Sequence, residues 1–284
     1  INVYRFRRLK TKTSIFKIFV GIIDIIRSYL YAKRLHNKYR FNLAVMRNAN
    51  VGLGVNGALK NIKTIYVLPS IESIQDRKSL SEFEGNKMLK LVKHSTYNQV
   101  LLKQANLFQR LLIKYSNFSF VFSANMKKQV SRMAPQYDFK ISLIKPGADT
   151  DNFFPTKEKI PIRKKLNFPL SANILIIIGR IVKVKGIDLA IKAMSKLNKK
   201  DTFLIIIGDG PEANALNDLS IKLGVKENII FYPPTDTPNM FFQAADAFLM
   251  PSVYEPFGQT ILEAMSSGLP IIGFKSDGDR VMTA

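Results

Sequence analysis

No cysteine occurs in the 284 residues, which excludes disulfides and thiolate metal sites and fits a reducing cytosol. Histidine is nearly as scarce. His36 and His94 are the only two, so a histidine-rich metal cluster is excluded as well. Acidic residues are few, 21 against 43 lysines and arginines, for a formal net charge of +22. Long uncharged apolar runs are missing too. The most apolar stretch, residues 14–31, is interrupted by Lys17, Asp24 and Arg27. It never reaches the ~18–20 uncharged residues that a membrane span needs. It reads as a helix of a layered domain whose basic flank touches a membrane surface. The first ten residues lack both an initiator Met and the basic-then-apolar layout of a secretory signal. With an abrupt stop at Val281-Met-Thr-Ala284, the expectation is a fragment lacking both termini.

The charge that is present is unevenly shared. Residues 1–150 carry 27 basic and 7 acidic residues, a balance of +20, and the remainder carries 16 and 14, a balance of +2. An AT-rich genome would load both halves with lysine, so the first half is expected to face something anionic. The length and an apolar content of 46% suit two packed units. We place them at residues 1–150 and 151–284, with a hinge in 145–162, where Pro146, Gly147, Pro155 and Pro161 fall.

The second half alternates cleanly. Ile174-Leu-Ile-Ile-Ile178, Phe203-Leu-Ile-Ile-Ile207, Ile229-Ile-Phe-Tyr232, Ala247-Phe-Leu-Met250 and Pro270-Ile-Ile-Gly-Phe274 are short apolar runs without alternation. Between them Ile187, Ala190, Ile191, Met194 and Leu197, and then Leu216, Leu219 and Leu223, recur at helical spacing. Further helices are expected near 238–245 and 257–267. Such strands between amphipathic helices make a parallel sheet buried on both faces, a doubly wound α/β domain. The first half is less regular. Strands are expected at Phe41–Met46, Thr64–Leu68, Phe118–Phe122 and Ile141–Ile144, and helices at 13–36 and 80–114, making a second α/β unit short of its first strand or two.

Two motifs sit where such a sheet binds ligands, at the carboxyl ends of its strands. In Pro251-Ser-Val-Tyr-Glu-Pro-Phe-Gly-Gln-Thr-Ile-Leu-Glu-Ala-Met265, Glu255 falls in the loop after a strand and Glu263 about two turns into the next helix. The helix N-terminus near Gly258 offers unpaired N–H groups to phosphate or sugar oxygens. Glu263 suits a ribose diol, and Glu255, nearer the mouth, suits the hydroxyls of a sugar. In Gly179-Arg-Ile-Val-Lys-Val-Lys-Gly186, Arg180 and Lys185 are cations beside the same crevice. They would stabilise the charge that develops on a departing diphosphate. Lys183 reads as an ordinary loop residue.

These residues, in this order, resemble the GT-B glycosyltransferases of family 4, the retaining glycosyltransferases group 1. The resemblance runs through Leu143-Ile-Lys-Pro-Gly-Ala-Asp-Thr-Asp-Asn-Phe-Phe-Pro155, Gly179-Arg180 with Lys185-Gly186, Gly208-Asp-Gly-Pro211, and Glu255-Pro-Phe-Gly258 with Glu263-Ala264 and Gly268-Leu-Pro270. It implies two Rossmann-like doubly wound parallel-sheet domains facing a cleft, the first on the acceptor side and the second binding the nucleotide sugar. It also implies metal-independent transfer with retention of anomeric configuration. No cofactor is implied beyond the nucleotide-diphosphate sugar as co-substrate, and the departing phosphate oxygen takes the acceptor proton. By position, Arg180 and Lys185 bind the diphosphate, Glu263 the ribose, and Glu255 with the Phe257–Gly258 backbone the donor sugar. Gly179, Gln259 and Thr260 complete the donor-binding set, and Glu255, Arg180 and Lys185 form the catalytic one. The chain departs from the family. Pro69 or Ser70 stands where a histidine is usual, Lys275-Ser-Asp-Gly-Asp-Arg280 replaces Gly-Gly-x-x-Glu, and the glycine-rich N-terminal loop and the closing C-terminal helix are missing.

Other signals carry less. Gly52-Leu-Gly-Val-Asn-Gly57, with Asp76 beyond it, spells a dinucleotide fingerprint but follows a polar loop, so it reads as tight packing or an acceptor contact. Asp149-Thr-Asp151 spells the D-x-D of metal-dependent transferases, yet it lies in the hinge and offers few ligands. Tyr115 and Phe118–Phe122 read as core, not as a nucleic-acid stacking surface. The expected function is transfer of a hexose-type sugar to a glycan or lipid-linked acceptor in cell-envelope polysaccharide synthesis. The expected place is cytoplasmic, peripheral on the cytoplasmic face of an anionic membrane. The missing histidine motivates a second reading, a non-catalytic GT-B module that binds a nucleotide sugar.

Overall fold

The computed structural model describes residues 14–71, 96–197, 199–275 and 282–283. The chain divides into two compact units, Ile1–Lys145 and Pro146–Ala284.

The first unit runs α1 (Ser14–Tyr39), β1 (Leu43–Met46), α2 (Ala49–Ala58), β2 (Lys63–Val67), α3 (Thr96–Tyr115), β3 (Phe118–Val121), α4 (Ala124–Met133) and β4 (Ile141–Leu143). Its four strands pair in parallel in the order β1-β2-β3-β4. Helix starts are set locally. The Asn48 side chain accepts from the Val51 N–H at 3.1 Å, and Ser123 accepts from Met126 at 3.2 Å, each satisfying a donor that the helix leaves open. Tyr66, Leu68, Leu112, Ile113, Val121 and Val130 fill the core. Of the helix expected at 80–114, residues 80–95 lie outside the described residues, and α3 accounts for the rest.

Gly52, Gly54 and Gly57 lie within α2, and at Gly52 and Gly54 the motif serves the tight packing expected of it. A Cβ on Gly54 would fall 2.1 Å from Ser28 Oγ and 2.2 Å from the Ile25 carbonyl oxygen of α1. The glycines let two helices touch backbone to backbone; they shape no phosphate loop.

The second unit runs α5 (Lys159–Lys165), β5 (Asn173–Ile178), α6 (Ile187–Leu197), β6 (Thr202–Ile207), α7 (Ala213–Lys222), β7 (Ile229–Tyr232), α8 (Pro238–Ala244), β8 (Ala247–Met250), β9 (Tyr254–Glu255), α9 (Gln259–Ser266), β10 (Ile271–Gly273) and β11 (Met282–Thr283). Five strands form a parallel sheet ordered β10-β8-β5-β6-β7. Strand residues alternate between two apolar cores. Ile205 and Ile207 join Phe241, Phe242 and Ala264 on one face, while Leu204 and Ile206 join Ile187, Ile191 and Leu216 on the other. Both faces are covered, which is why these strands read as unbroken apolar runs.

The amino ends of β5 and β8 are clasped by charge. Asp246 accepts from Arg163 at 2.7 Å, from Lys159 at 2.9 Å and from the Ile174 N–H at 2.8 Å. The buried Arg163 guanidinium also donates to the carbonyls of Ala244, Leu170 and Ala172. Burial alone would raise the Asp246 pKa, but the Ile174 N–H and the two cations outweigh it and hold it below 3.8. Among the described residues, no helix is long and apolar enough to cross a membrane.

Candidate functional site

The strand order puts a topological switch point between β5 and β8. From β5 the chain steps outward through β6 and β7, then returns to lay β8 on the other side of β5. Connections leave the two central strands in opposite directions, which opens a crevice at their carboxyl ends. The loops bounding that crevice are Gly179–Gly186 after β5 and Pro251–Gly258 after β8, the two motifs that sequence singles out.

The loops are locked to each other. The Val253 N–H donates to the Val184 carbonyl at 3.0 Å. Gly186 adopts a left-handed conformation with φ 62°, and a Cβ there would lie 2.0 Å from the Pro251 carbonyl oxygen, so a side chain at this position would part them. Lys185 Nζ forms an ion pair with Glu255 Oε2. Glu255 Oε1 accepts from the Gly258 N–H at 3.1 Å. Gly258, with φ 72°, is the residue from which α9 starts.

The set expected from sequence is thus placed as follows. Lys185, Glu255 and Gly258 are in direct contact. Glu255 is more enclosed than its expected place near the mouth of a loop: it belongs to the two-residue strand β9, paired with β11, and is only 7% exposed. Its burial follows from having both oxygens engaged by Lys185 and Gly258, which replace water. Glu263 is the fifth residue of α9, little more than one turn in rather than two, and is half-buried. Burial raises its pKa above 4.5, a shift partly offset by a hydrogen bond from the Gln259 amide. Phe257, Gln259 and Thr260 line the start of α9 and are half-buried. Gly179 opens the β5 loop, and a Cβ there would meet nothing within 4 Å. Arg180 is exposed, and its side chain makes no ion pair or hydrogen bond among the described residues. Lys183, read as an ordinary loop residue, pairs with Asp188 at 3.4 Å in the first turn of α6. Of Lys275–Arg280, all but Lys275 lie outside the described residues.

Sequence reasoning missed the space beside this crevice. A cavity of about 590 Å³ runs along β7 between that strand and α7, touching Ile181, Gly208, Asn214, Asn217, Tyr232 and Pro233. The polar pair Asn214 and Asn217, three residues apart on α7, and the Tyr232-Pro-Pro234 strand end were its only trace in sequence.

Lys185 and Glu255 thus pair at the carboxyl ends of the central strands of a doubly wound sheet, the edge where such sheets bind ligands. With a second α/β unit preceding it, the chain has the fold of the GT-B glycosyltransferases. It covers 90% of itself on sucrose-phosphate synthase from Thermosynechococcus elongatus and 60% of that chain, with a TM-score of 0.70 and 18% identity. It covers 91% of itself on HepE of Anabaena, solved in complex with UDP-glucose, and 64% of that chain, with a TM-score of 0.64 and 17% identity. Residues 158–283 match the family model described as glycosyl transferases group 1. A lipopolysaccharide core biosynthesis glycosyltransferase of Rhizobium meliloti is 34% identical over 130 residues, 45% of this chain and 38% of that protein. The matched part spans about two-fifths of the length of the curated relatives.

Proposed function

We propose that this chain works in a retaining glycosyltransferase that moves a hexose-type sugar from a nucleotide-diphosphate sugar to a glycan or lipid-linked acceptor. The observation that carries the reading is the contact of Lys185 with Glu255 across the switch point of a glycosyl transferases group 1 domain. In the proposed mechanism, Lys185 and Arg180 hold the diphosphate, Glu263 accepts from the ribose hydroxyls, and Glu255 with the Phe257–Gly258 backbone positions the sugar. Gly179, Gln259 and Thr260 complete the enclosure, and the nucleoside extends toward the cavity at Tyr232 and Pro233. The bond from the anomeric carbon to the phosphate oxygen breaks, and the acceptor oxygen bonds to that carbon. The acceptor proton passes to the departing diphosphate oxygen. Negative charge grows on the diphosphate as this happens, so fixed cations favour the transition state over the ground state. This assigns charge neutralisation to the chain's own side chains and calls for neither metal nor cofactor.

The lipopolysaccharide relative supports an envelope glycan as the acceptor class. Helix α1 supports work at an anionic membrane surface on its cytoplasmic side: it presents Phe19, Ile22, Ile26 and Leu30 to solvent beside the exposed cations Lys33, Arg34 and Lys38. The segment after β2 supports a second reading, a binding module without turnover. Gln109 donates to the Ser70 carbonyl at 2.9 Å, and that loop carries Pro69 and Ser70 with no histidine.

A thermal-shift panel of UDP, GDP, ADP and their sugars on the complete gene product tests donor binding. A true donor at ~100 times its dissociation constant adds ~2.7 kcal/mol of stability. Absence of both stabilisation and transfer across the panel would falsify the reading. Stabilisation without transfer, converted to turnover by Ser70→His, would establish the binding module instead.

A further inference from the structure

The turn that carries Lys185 is held from three sides. It is a single 3-10 turn, Lys183–Lys185, between the end of β5 and the start of α6. Its middle residue, Val184, is buried, and the Val184 carbonyl accepts from the Val253 N–H at 3.0 Å. Its last residue, Lys185, pairs with Glu255. Its first residue, Lys183, reaches forward to Asp188, 3.4 Å away in the first turn of α6. Gly186 makes the corner between turn and helix. Its N–H donates to the Lys183 carbonyl at 3.0 Å, and its carbonyl accepts from the Leu189 N–H at 2.9 Å.

The Asp188 side chain is only 15% exposed, and its Oδ2 takes both Lys183 and, at 3.0 Å, Lys192 one turn further along α6. Burial alone would raise its pKa, but the two lysines outweigh it and hold it below 3.8, so the carboxylate is charged at neutral pH. The Lys192 pair stays within one helix. The Lys183 pair crosses from the turn to the helix and fixes one against the other. We infer that Asp188 is a positioning residue for Lys185: by gripping Lys183 it fixes the turn from which Lys185 reaches the diphosphate. This rests on the assignment of Lys185 to the diphosphate. A cation stabilises developing charge best from a fixed place, so a loosened turn is felt in turnover more than in donor affinity. The charge on Asp188 works against an anionic ligand, and the charge on Lys183 works for one. Positioning and bulk charge therefore make different predictions for the two residues.

Asp188→Asn and Lys183→Met in the complete gene product test this, because they break the same pair while changing the local charge in opposite directions. The first readout is amide exchange at Val253 in the ligand-free protein, with the amides of β6 as internal reference. The second is release of nucleoside diphosphate from UDP-glucose, GDP-glucose and ADP-glucose. Both variants should speed Val253 exchange several-fold relative to β6. Both should lower kcat about tenfold and leave KM within about twofold. With Lys185→Ala already present, neither should lower release further. A gain of turnover in Asp188→Asn beside a loss in Lys183→Met would show an effect of charge alone and overturn the positioning role. So would unchanged Val253 exchange in both variants, or a further fall in release on top of Lys185→Ala. If the wild type releases diphosphate from none of the three sugars, the donor reading fails and the role assigned to Asp188 falls with it.

Discussion

Lys185, in the loop after β5, and Glu255, in the short strand β9 after β8, are 70 positions apart in the chain and form an ion pair where the sheet order reverses. Glu255 uses its second oxygen on the Gly258 N–H, so one carboxylate joins the β5 loop to the start of α9. The pair ties the two loops of the crevice to each other, and in the proposed mechanism it lies where the diphosphate would bind.

Lys185→Ala removes the cation proposed to hold the diphosphate and leaves a carboxylate that is 7% exposed without its partner. Turnover on the donor identified by thermal shift should fall on the order of 10²–10³, matching ~2.7–4 kcal/mol of lost transition-state stabilisation. Stability in urea should fall by about 1–3 kcal/mol. That is less than the ~3–5 kcal/mol of a fully buried pair, because water reaches the lysine. Unchanged turnover with intact folding would remove Lys185 from the mechanism.

Glu263→Gln should separate stability from binding. The folded protein holds the Glu263 pKa above 4.5, so between the two values the folded state carries more protons than the unfolded one. Stability therefore falls as pH rises through that window, and the whole penalty is present above it. The glutamine variant, which has no such charge, should melt higher than wild type at neutral pH. It should also bind the nucleotide about ten- to a hundred-fold more weakly, since charge-assisted hydrogen bonds to the ribose are lost. Equal affinity in the two proteins would release Glu263 from the donor site.

Asp246→Asn tests the clasp on the opposite edge of the sheet. The aspartate's depressed pKa means its stabilisation is present above pH ~3.8 and is lost as pH falls through the lower folded value. Removing the charge strands Arg163, which is 5% exposed, and should cost about 3–5 kcal/mol in urea unfolding at neutral pH. A cost near zero would show that the carbonyls of Ala244, Leu170 and Ala172 satisfy Arg163 without it.

Gly54→Val should destabilise the first unit by about 1–3 kcal/mol or more by driving α1 and α2 apart. The clash involves the Ile25 backbone carbonyl, which cannot swing away. Nucleotide binding by the second unit should be unaffected when followed by ligand-induced thermal shift. Selective loss of nucleotide affinity without loss of stability would restore the dinucleotide reading of this motif.

Much of the second unit was legible before any coordinates. Runs such as Ile174–Ile178 and Phe203–Ile207 are apolar on both sides of the strand, and only a sheet covered on both faces rewards that. The helix at 187–197 was readable from Ile187, Ala190, Ile191 and Met194, because spacing alone selects its buried face. The first unit was harder. Gly52-x-Gly-x-x-Gly57 has the same spelling in a phosphate loop and in a helix packed against another, and only the polar loop before it spoke for packing.

Composition, strand and helix periods, and the order of the two motifs were properties of the chain itself, because they depend on neighbours within a few residues. That Glu255 is buried, that Gln259 reaches the Gly147 carbonyl, and that a cavity lies along β7 were decided by tertiary structure alone. Each depends on groups brought together from distant positions by the strand order, and burial, charge pairing and enclosed volume exist only once that sheet has assembled.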